Sequence, residues 1–215
     1  MLKFLDLFCG AGGAAMGLHR AFPDALIIGI DMIPQLHYPF VFIQGDALNP
    51  PFNLSEFDFI WASPPCQAYT FCSIKHRDKG KKYPELIEPV REMLSKINVP
   101  HIIENVATAP LHHQVTLCGQ MFGLRTFRHR RFESNCIIFQ PTHYPHHTKS
   151  AGLGRVPKDD KTFWTITGKV GGAKGAQEIM DIHHIGSGSR LQKEISNAIP
   201  PAYSEYLIKQ IFHQI

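Results

Sequence analysis

Leu2-Lys3-Phe4-Leu5-Asp6-Leu7-Phe8-Cys9-Gly10-Ala11-Gly12-Gly13-Ala14-Ala15-Met16-Gly17-Leu18-His19-Arg20-Ala21-Phe22 is the stretch that decides the fold. A short apolar run holding one acid, Asp6, gives way to a glycine turn. The turn leads into a helix pattern that Pro23 ends. Strand, glycine turn and helix form the opening unit of a nucleotide-binding βαβ fold. Glycines let the backbone approach a ligand closely, and a helix N-terminus offers free N–H groups. Tight packing of strand on helix would account for one such turn equally well.

The next units extend the pattern. Ala25-Leu26-Ile27-Ile28-Gly29-Ile30 reads as a buried strand ending in Asp31, the place where such folds hold a ribose hydroxyl pair. Val41-Phe42-Ile43-Gln44 is a third strand, ending in Gly45-Asp46. Phe57-Asp58-Phe59-Ile60-Trp61-Ala62 is a fourth, stopped by Pro64-Pro65, since prolines lack the N–H that a ladder needs. Cys66 follows at once, at the sheet edge where open α/β folds bind ligands. Its thiol is there either as an incidental, partly buried side chain or as a reactive one. His101-Ile102-Ile103 is a fifth strand, ending in Glu104-Asn105-Val106. Five such endings in succession predict a single ligand edge on a mostly parallel sheet.

Between strands four and five, Gln67 to Lys82 is a polar loop with five basic residues, Lys75, Arg77, Lys79, Lys81 and Lys82, against Asp78. It reads as a mobile loop beside the ligand edge or as a solvated charge run. Pro84 to Leu94 predicts an amphipathic helix with Pro84 and Glu85 in its first turn. Val115 to Gly119 is a short strand candidate. In Phe127-Arg128-His129-Arg130-Arg131-Phe132, arginines between aromatics suit phosphate or base contacts, and an exposed basic strand end would look the same. Cys136-Ile137-Ile138-Phe139 is strand-like. Gln140 to Gly175 is rich in Pro, His, Gly and Lys, with Phe163 and Trp164 as anchors. His143, His146 and His147 hint at a metal, but no cysteine or second spaced pair stands near them in sequence, so none is expected. Pro200-Pro201 open the last helix, because missing N–H groups cost nothing in a first turn.

Composition sets the class. The 215 residues are 44% hydrophobic, enough for a sizeable core in one domain, or in one domain with a small appendage. A net charge of +4 with 13 histidines is compatible with a polyanionic partner. Five cysteines, an odd number without finger-like spacing, predict free thiols in a reducing compartment. Neither a secretory signal nor a run long enough to span a membrane is expected.

Together these pieces resemble the DNA cytosine methyltransferases that act on carbon 5 and use S-adenosylmethionine, most closely their compact phage-type members. Asp6 to Gly13 looks like the family's opening cofactor signature, and Pro65-Cys66-Gln67 like its nucleophile motif. Glu104-Asn105-Val106 looks like the glutamate motif, Arg128-His129-Arg130 the paired arginines, and Asn197-Ala198-Ile199-Pro200-Pro201 the closing asparagine motif. The resemblance implies a Rossmann-like methyltransferase fold with a mostly parallel sheet. It divides the chain into a catalytic and cofactor-binding core (1–133), a much reduced target-recognition segment (134–180) and a C-terminal return (181–215). Three features depart from the family pattern: Thr126 stands where the family has a glutamine, the carboxylate after the second strand could align with Gly29 or Asp31, of which only Asp31 can hold a ribose, and the leucine-rich motif before the asparagine is not recognisable.

The resemblance also implies roles. Cys66 attacks carbon 6 of the base, Glu104 holds ring nitrogen 3, and Arg130 contacts the cytosine oxygen. Phe8 contacts adenine, the turn of Gly10, Gly12 and Gly13 holds the methionine moiety, Asp31 the ribose, Asp46 the adenine amino group, and Asn197 the methionine end. Gln67, Lys75, Arg77 and Arg128 contact nucleic acid. Cys9, Cys72, Cys118 and Cys136 are structural. The implied partner is double-stranded DNA with the target base flipped out, in the cytoplasm of a bacterial or phage-infected cell, in a restriction–modification setting. Alternatives are a cytosine-5 methyltransferase of RNA and a non-catalytic nucleic-acid binder on the same fold. The Ser63-Pro64-Pro65 turn also resembles amino-methyltransferases, but Cys66 stands where they carry an aromatic residue.

Overall fold

Short apolar runs flanked by turn residues pair into a seven-stranded sheet in the computed structural model, which describes residues 1–151, 155–166, 173–185 and 191–214. The strands are β1 (Lys3–Leu7), β2 (Leu26–Asp31), β3 (Val41–Gln44), β4 (Phe59–Ala62), β5 (His101–Val106), β6 (Val115–Leu117) and β7 (Arg130–Ser134). Their spatial order is β3-β2-β1-β4-β5-β7-β6. The first five pair in parallel, and β7 lies antiparallel between β5 and β6. Side chains alternate between faces along each strand. Phe4, Phe59, Trp61 and Ile102 therefore fall in one buried cluster, while Leu5, Ile60, Ala62 and Ile103 fall in another on the opposite face.

Helices α1 (Gly13–Ala21) and α6 (Pro201–Phe212) cover the first face, and α3 (Ile87–Leu94) the second. α1 and α6 meet at backbone distance. A Cβ on Gly17 would stand 2.1 Å from both the Pro201 carbonyl oxygen and Ser204 Oγ, so no larger residue fits there. Ser204 Oγ donates to the Ala14 carbonyl oxygen at 2.7 Å across the same seam. A third cluster joins Ala11 of the glycine turn to Trp164, Ile166, α4 (Ala173–Met180), Ile182, Ile185, α5 (Leu191–Asn197) and Ala198. The segment after β7 thus packs directly on the turn after β1.

Three expectations are corrected. α3 begins at Ile87, not Pro84. Pro89 must lie in a first turn, where its missing N–H has no partner to lose; a helix from Pro84 would put it in the interior. The strand expected at Cys136–Phe139 is β7 instead, over the arginine run, because Phe132 is fully buried and pairs with both Glu104 and Val115. Ile137 and Phe139 are exposed and held to α6 by Gln214 and Gln210. The basic loop is not featureless: it contains a 3₁₀ turn (Phe71–Ser73) and α2 (Ile74–Arg77). Among the described residues no helix is long and apolar enough to cross a membrane.

Candidate active site

The carboxyl ends of β1, β2, β4 and β5 share one edge, as parallel pairing requires. After β1, Phe8 adopts φ 57°, a left-handed conformation costly for an aromatic residue, and Gly10 and Gly12 follow in the same region. Asp31 at the end of β2 closes this turn. Its Oδ2 accepts the Gly10 amide at 3.1 Å and its Oδ1 the Ile33 amide at 2.9 Å. Gly29 offers no alternative place for an acid, since a Cβ there would stand 2.3 Å from the Tyr38 ring. Asp46 accepts the Leu48 amide and Asn49 Nδ2, which hold its carboxyl below the usual range. Beneath the turn, Asp6 is fully buried; burial pushes its pKa well up, against a hydrogen bond from Tyr38. Its Oδ1 has no partner among the described residues. Open space at Gly10, spare lone pairs on Asp31 and this orphaned oxygen fit a cofactor bearing a hydroxyl pair and an amine.

Beyond β4 the chain turns into a cleft of about 360 Å³ lined by Cys66, Gln67, Thr126, Arg128, Arg130 and Asn197, among others. The Pro64 carbonyl oxygen accepts Asn105 Nδ2 at 2.8 Å, which locks the proline turn to the end of β5. Glu104 is buried, and Arg130 Nε lies 3.0 Å from its Oε1. Burial raises the Glu104 pKa above the ordinary range, with the Arg130 charge pulling the other way. Burial likewise pushes the Cys66 thiol up, opposed by Arg130 and reinforced by Glu104. The three groups named from motifs far apart in sequence therefore share one electrostatic environment.

The basic residues divide. Arg128, at φ 21°, donates to the backbone carbonyls of Ile166, Ser196 and Ala198. Burial, helped by the Arg130 charge, pushes it down to about 9. Arg128 thus braces the cleft's far wall. Arg77 donates to the carbonyls of Gln67 at 2.9 Å and Thr70 at 3.0 Å, so it folds the loop on itself, whereas Lys75 is exposed on α2. Thr126 is buried, and its hydroxyl donates to the Trp164 carbonyl at 3.0 Å. Asn197 lines the Cys66 cleft. Cys9 and Cys118 are buried and Cys136 half-buried, while the side chain of Cys72 lies outside the described part.

One expectation fails here. The histidines after β7 do not stand alone: the Sγ of Cys118 and ring nitrogens of His129, His143 and His146 all lie within 4.8 Å of one another. Cys118 follows β6 and His129 precedes β7, and the antiparallel pairing that ends at Leu117 and Arg130 brings them together.

The C-5 cytosine-specific DNA methylase model matches residues 2–118, more than half of the chain. The chain belongs to this family. It is thereby an S-adenosylmethionine-dependent methyltransferase on the fold that its motifs imply. EhMeth, a methyltransferase of Entamoeba histolytica, aligns over 100% of this chain and 98% of its own, with a TM-score of 0.67 at 14% identity, a likeness of fold. Geranyl diphosphate C-methyltransferase of Streptomyces coelicolor A3(2) aligns over 49% of this chain and 39% of its own, with TM-score 0.34 and 13% identity. PKMT2 of Rickettsia typhi aligns over 48% and 20%, with TM-score 0.34 and 16% identity. Both are too distant to bear on this methyltransferase. No curated protein matches the chain.

Proposed function

We propose that this methyltransferase modifies carbon 5 of cytosine in double-stranded DNA through a covalent bond between Cys66 and carbon 6 of a flipped-out base. The observation that carries this reading is that Cys66 and Arg130 line one cleft, with the buried Glu104 3.0 Å from Arg130 behind its wall. Carbon 5 is a weak nucleophile, and a thiolate bonded at carbon 6 makes it an enamine carbon. Bound S-adenosylmethionine supplies the methyl group that this carbon takes up.

The protein's residues do the rest. Cys66 gives up its proton to solvent and its sulfur bonds carbon 6. Glu104, whose burial favours the protonated carboxyl, places a proton at ring nitrogen 3 as the carbon 5–carbon 6 double bond opens. Arg130 orients Glu104 and faces the cytosine oxygen, where negative charge develops. Loss of the carbon 5 proton to a base re-forms the ring double bond, expels the Cys66 thiolate and returns the nitrogen proton to Glu104. Asn105 keeps the thiol at the strand end by holding Pro64. Phe8, Gly10, Gly12, Gly13, Asp31 and Asp46 would hold the cofactor, with Asn197 at the boundary between it and the base.

A base inside a duplex cannot reach a thiol set back at a sheet edge, so the target nucleotide leaves the stack. Lys75 meets the phosphates while Arg77 keeps the 67–82 loop folded for closure over the base. Arg128 serves as the brace of the wall rather than as a phosphate contact. A cytoplasmic setting in a bacterial or phage-infected cell accords with free thiols. Incubation with 5-fluorocytosine duplex DNA and cofactor tests the reading: a denaturation-resistant protein–DNA adduct is expected, and its absence overturns the covalent route. The same assay on 5-fluorocytosine RNA separates the substrates, and faster adduct formation on RNA would reverse the choice of DNA.

A further inference from the structure

We propose that Cys118, His129, His143 and His146 form a tetrahedral zinc site that pins the segment after β7 to the edge of the sheet. Three of the four ligands lie beyond the residues that the family model covers.

The backbone brings the four together for local reasons. Leu117 pairs with Arg130 at the end of the β6–β7 ladder, so Cys118 and His129 are the next residues out, facing each other across the strands. The Gly119 amide donates to the Phe127 carbonyl at 3.1 Å, one residue out of the ladder's register, and ties the two chains together beyond it. Gln140 Oε1 accepts the Thr116 amide at 2.8 Å, which turns the following segment back over β6. His143 and His146 then arrive from above, and the His146 ring stacks on Phe127 at 3.7 Å and 12°.

Three of the six ligand–ligand distances lie near those of a coordination sphere, and all six are within 4.8 Å. Cys118 Sγ lies 3.4 Å from His146 Nε2, His129 Nε2 3.4 Å from His143 Nε2, and His143 Nε2 2.9 Å from His146 Nε2. With Zn–S of about 2.3 Å and Zn–N of about 2.05 Å, a tetrahedron has S···N edges of about 3.5 Å and N···N edges of about 3.3 Å. Hydrogen bonding alone cannot account for the arrangement. A neutral ring nitrogen carries either one hydrogen or one lone pair, so His143 Nε2 and His146 Nε2 can each make one of their two contacts. Either the inner contact, between those two, or the two outer ones can then be hydrogen bonds, never all three. A central cation uses the lone pair of every nitrogen at once. Thiolate with imidazoles is a donor set that suits zinc, whose filled shell accepts tetrahedral geometry.

The site would also reach the cleft. His129 sits between Arg128 and Arg130, so fixing its ring fixes the backbone from which both arginines project.

Zinc measured by mass spectrometry on the purified full chain tests the proposal; about one ion per chain is expected. Replacement by cobalt should give the intense visible bands of a tetrahedral centre together with a thiolate-to-metal charge-transfer band. Cys118→Ser should lose that band. The pair His143→Ala and His146→Ala, on an exposed segment, should lose the metal while binding of S-adenosylhomocysteine persists. Failure of the wild-type chain to take up zinc or cobalt, or unchanged stoichiometry in the double variant, overturns the site. Should the double variant not fold, the wild-type cobalt spectrum decides alone, and a spectrum without a thiolate band counts against the proposal.

Discussion

Two cysteines stand just past the carboxyl ends of strands that run the same way through the sheet, and their surroundings give them opposite chemistry. Cys66, after β4, opens onto a cleft with a buried carboxyl and two arginines. Cys118, after β6, is buried against three imidazoles. At the first, cationic groups favour a thiolate, which the proposed mechanism needs free to attack and leave. At the second, lone pairs converge on a point that a cation would fill. Position at a strand end does not distinguish a nucleophile from a ligand; the groups facing it do.

The sharpest way to break this contrast is to exchange the losses. Cys66→Ala should abolish the adduct with 5-fluorocytosine DNA and all methyl transfer, whereas Cys118→Ser should still form the adduct; a gel of both variants decides. Next in size, Glu104→Gln should lower the methylation rate by about 10²–10³-fold, the usual worth of a positioned acid. The pH–rate profile carries the sign. The limb that falls with rising pH belongs to Glu104, whose raised carboxyl surrenders its proton there, so the Gln variant should keep only the rising limb set by the Cys66 thiolate.

A smaller effect separates the arginines. Arg128→Ala leaves buried carbonyls without donors and should cost about 2–4 kcal/mol in denaturant unfolding, while Arg130→Ala should cost less stability and more rate. Smallest of all, chelation of the metal should lower the thermal midpoint by about 5 °C, and Cys118→Ser should be insensitive to chelator.

The ligand edge of the sheet was legible because its determinants are local. Each apolar run and its terminal Gly10, Asp31, Asp46, Cys66 or Glu104 lie side by side in sequence, and parallel pairing brings such endings to one edge. The strand carrying Arg130 was misplaced because three arginines look exposed, yet β7 buries only Phe132 and turns Arg130 onto Glu104. α3 was begun too early because two candidate prolines competed for a first turn. The metal ligands were out of reach of spacing arguments: Cys118 and His129 are neighbours only through a ladder, and His143 and His146 join them only once Gln140 has turned the chain. Arg128 and Arg77 looked like phosphate contacts because a charge pattern does not reveal which carbonyls the fold leaves in need of donors.

The seam at Gly17 and Ser204 has a consequence for how the chain is made. The helix built from residues 13–21 buries its apolar face against the sheet and, over its whole length, against residues 201–212. At roughly 5–20 residues per second, the opening of the protein waits some ten to forty seconds on the ribosome for its partner. The strand, turn and helix of residues 3–21 emerge early, but the seam on which they rest closes only when residues 201–212 arrive.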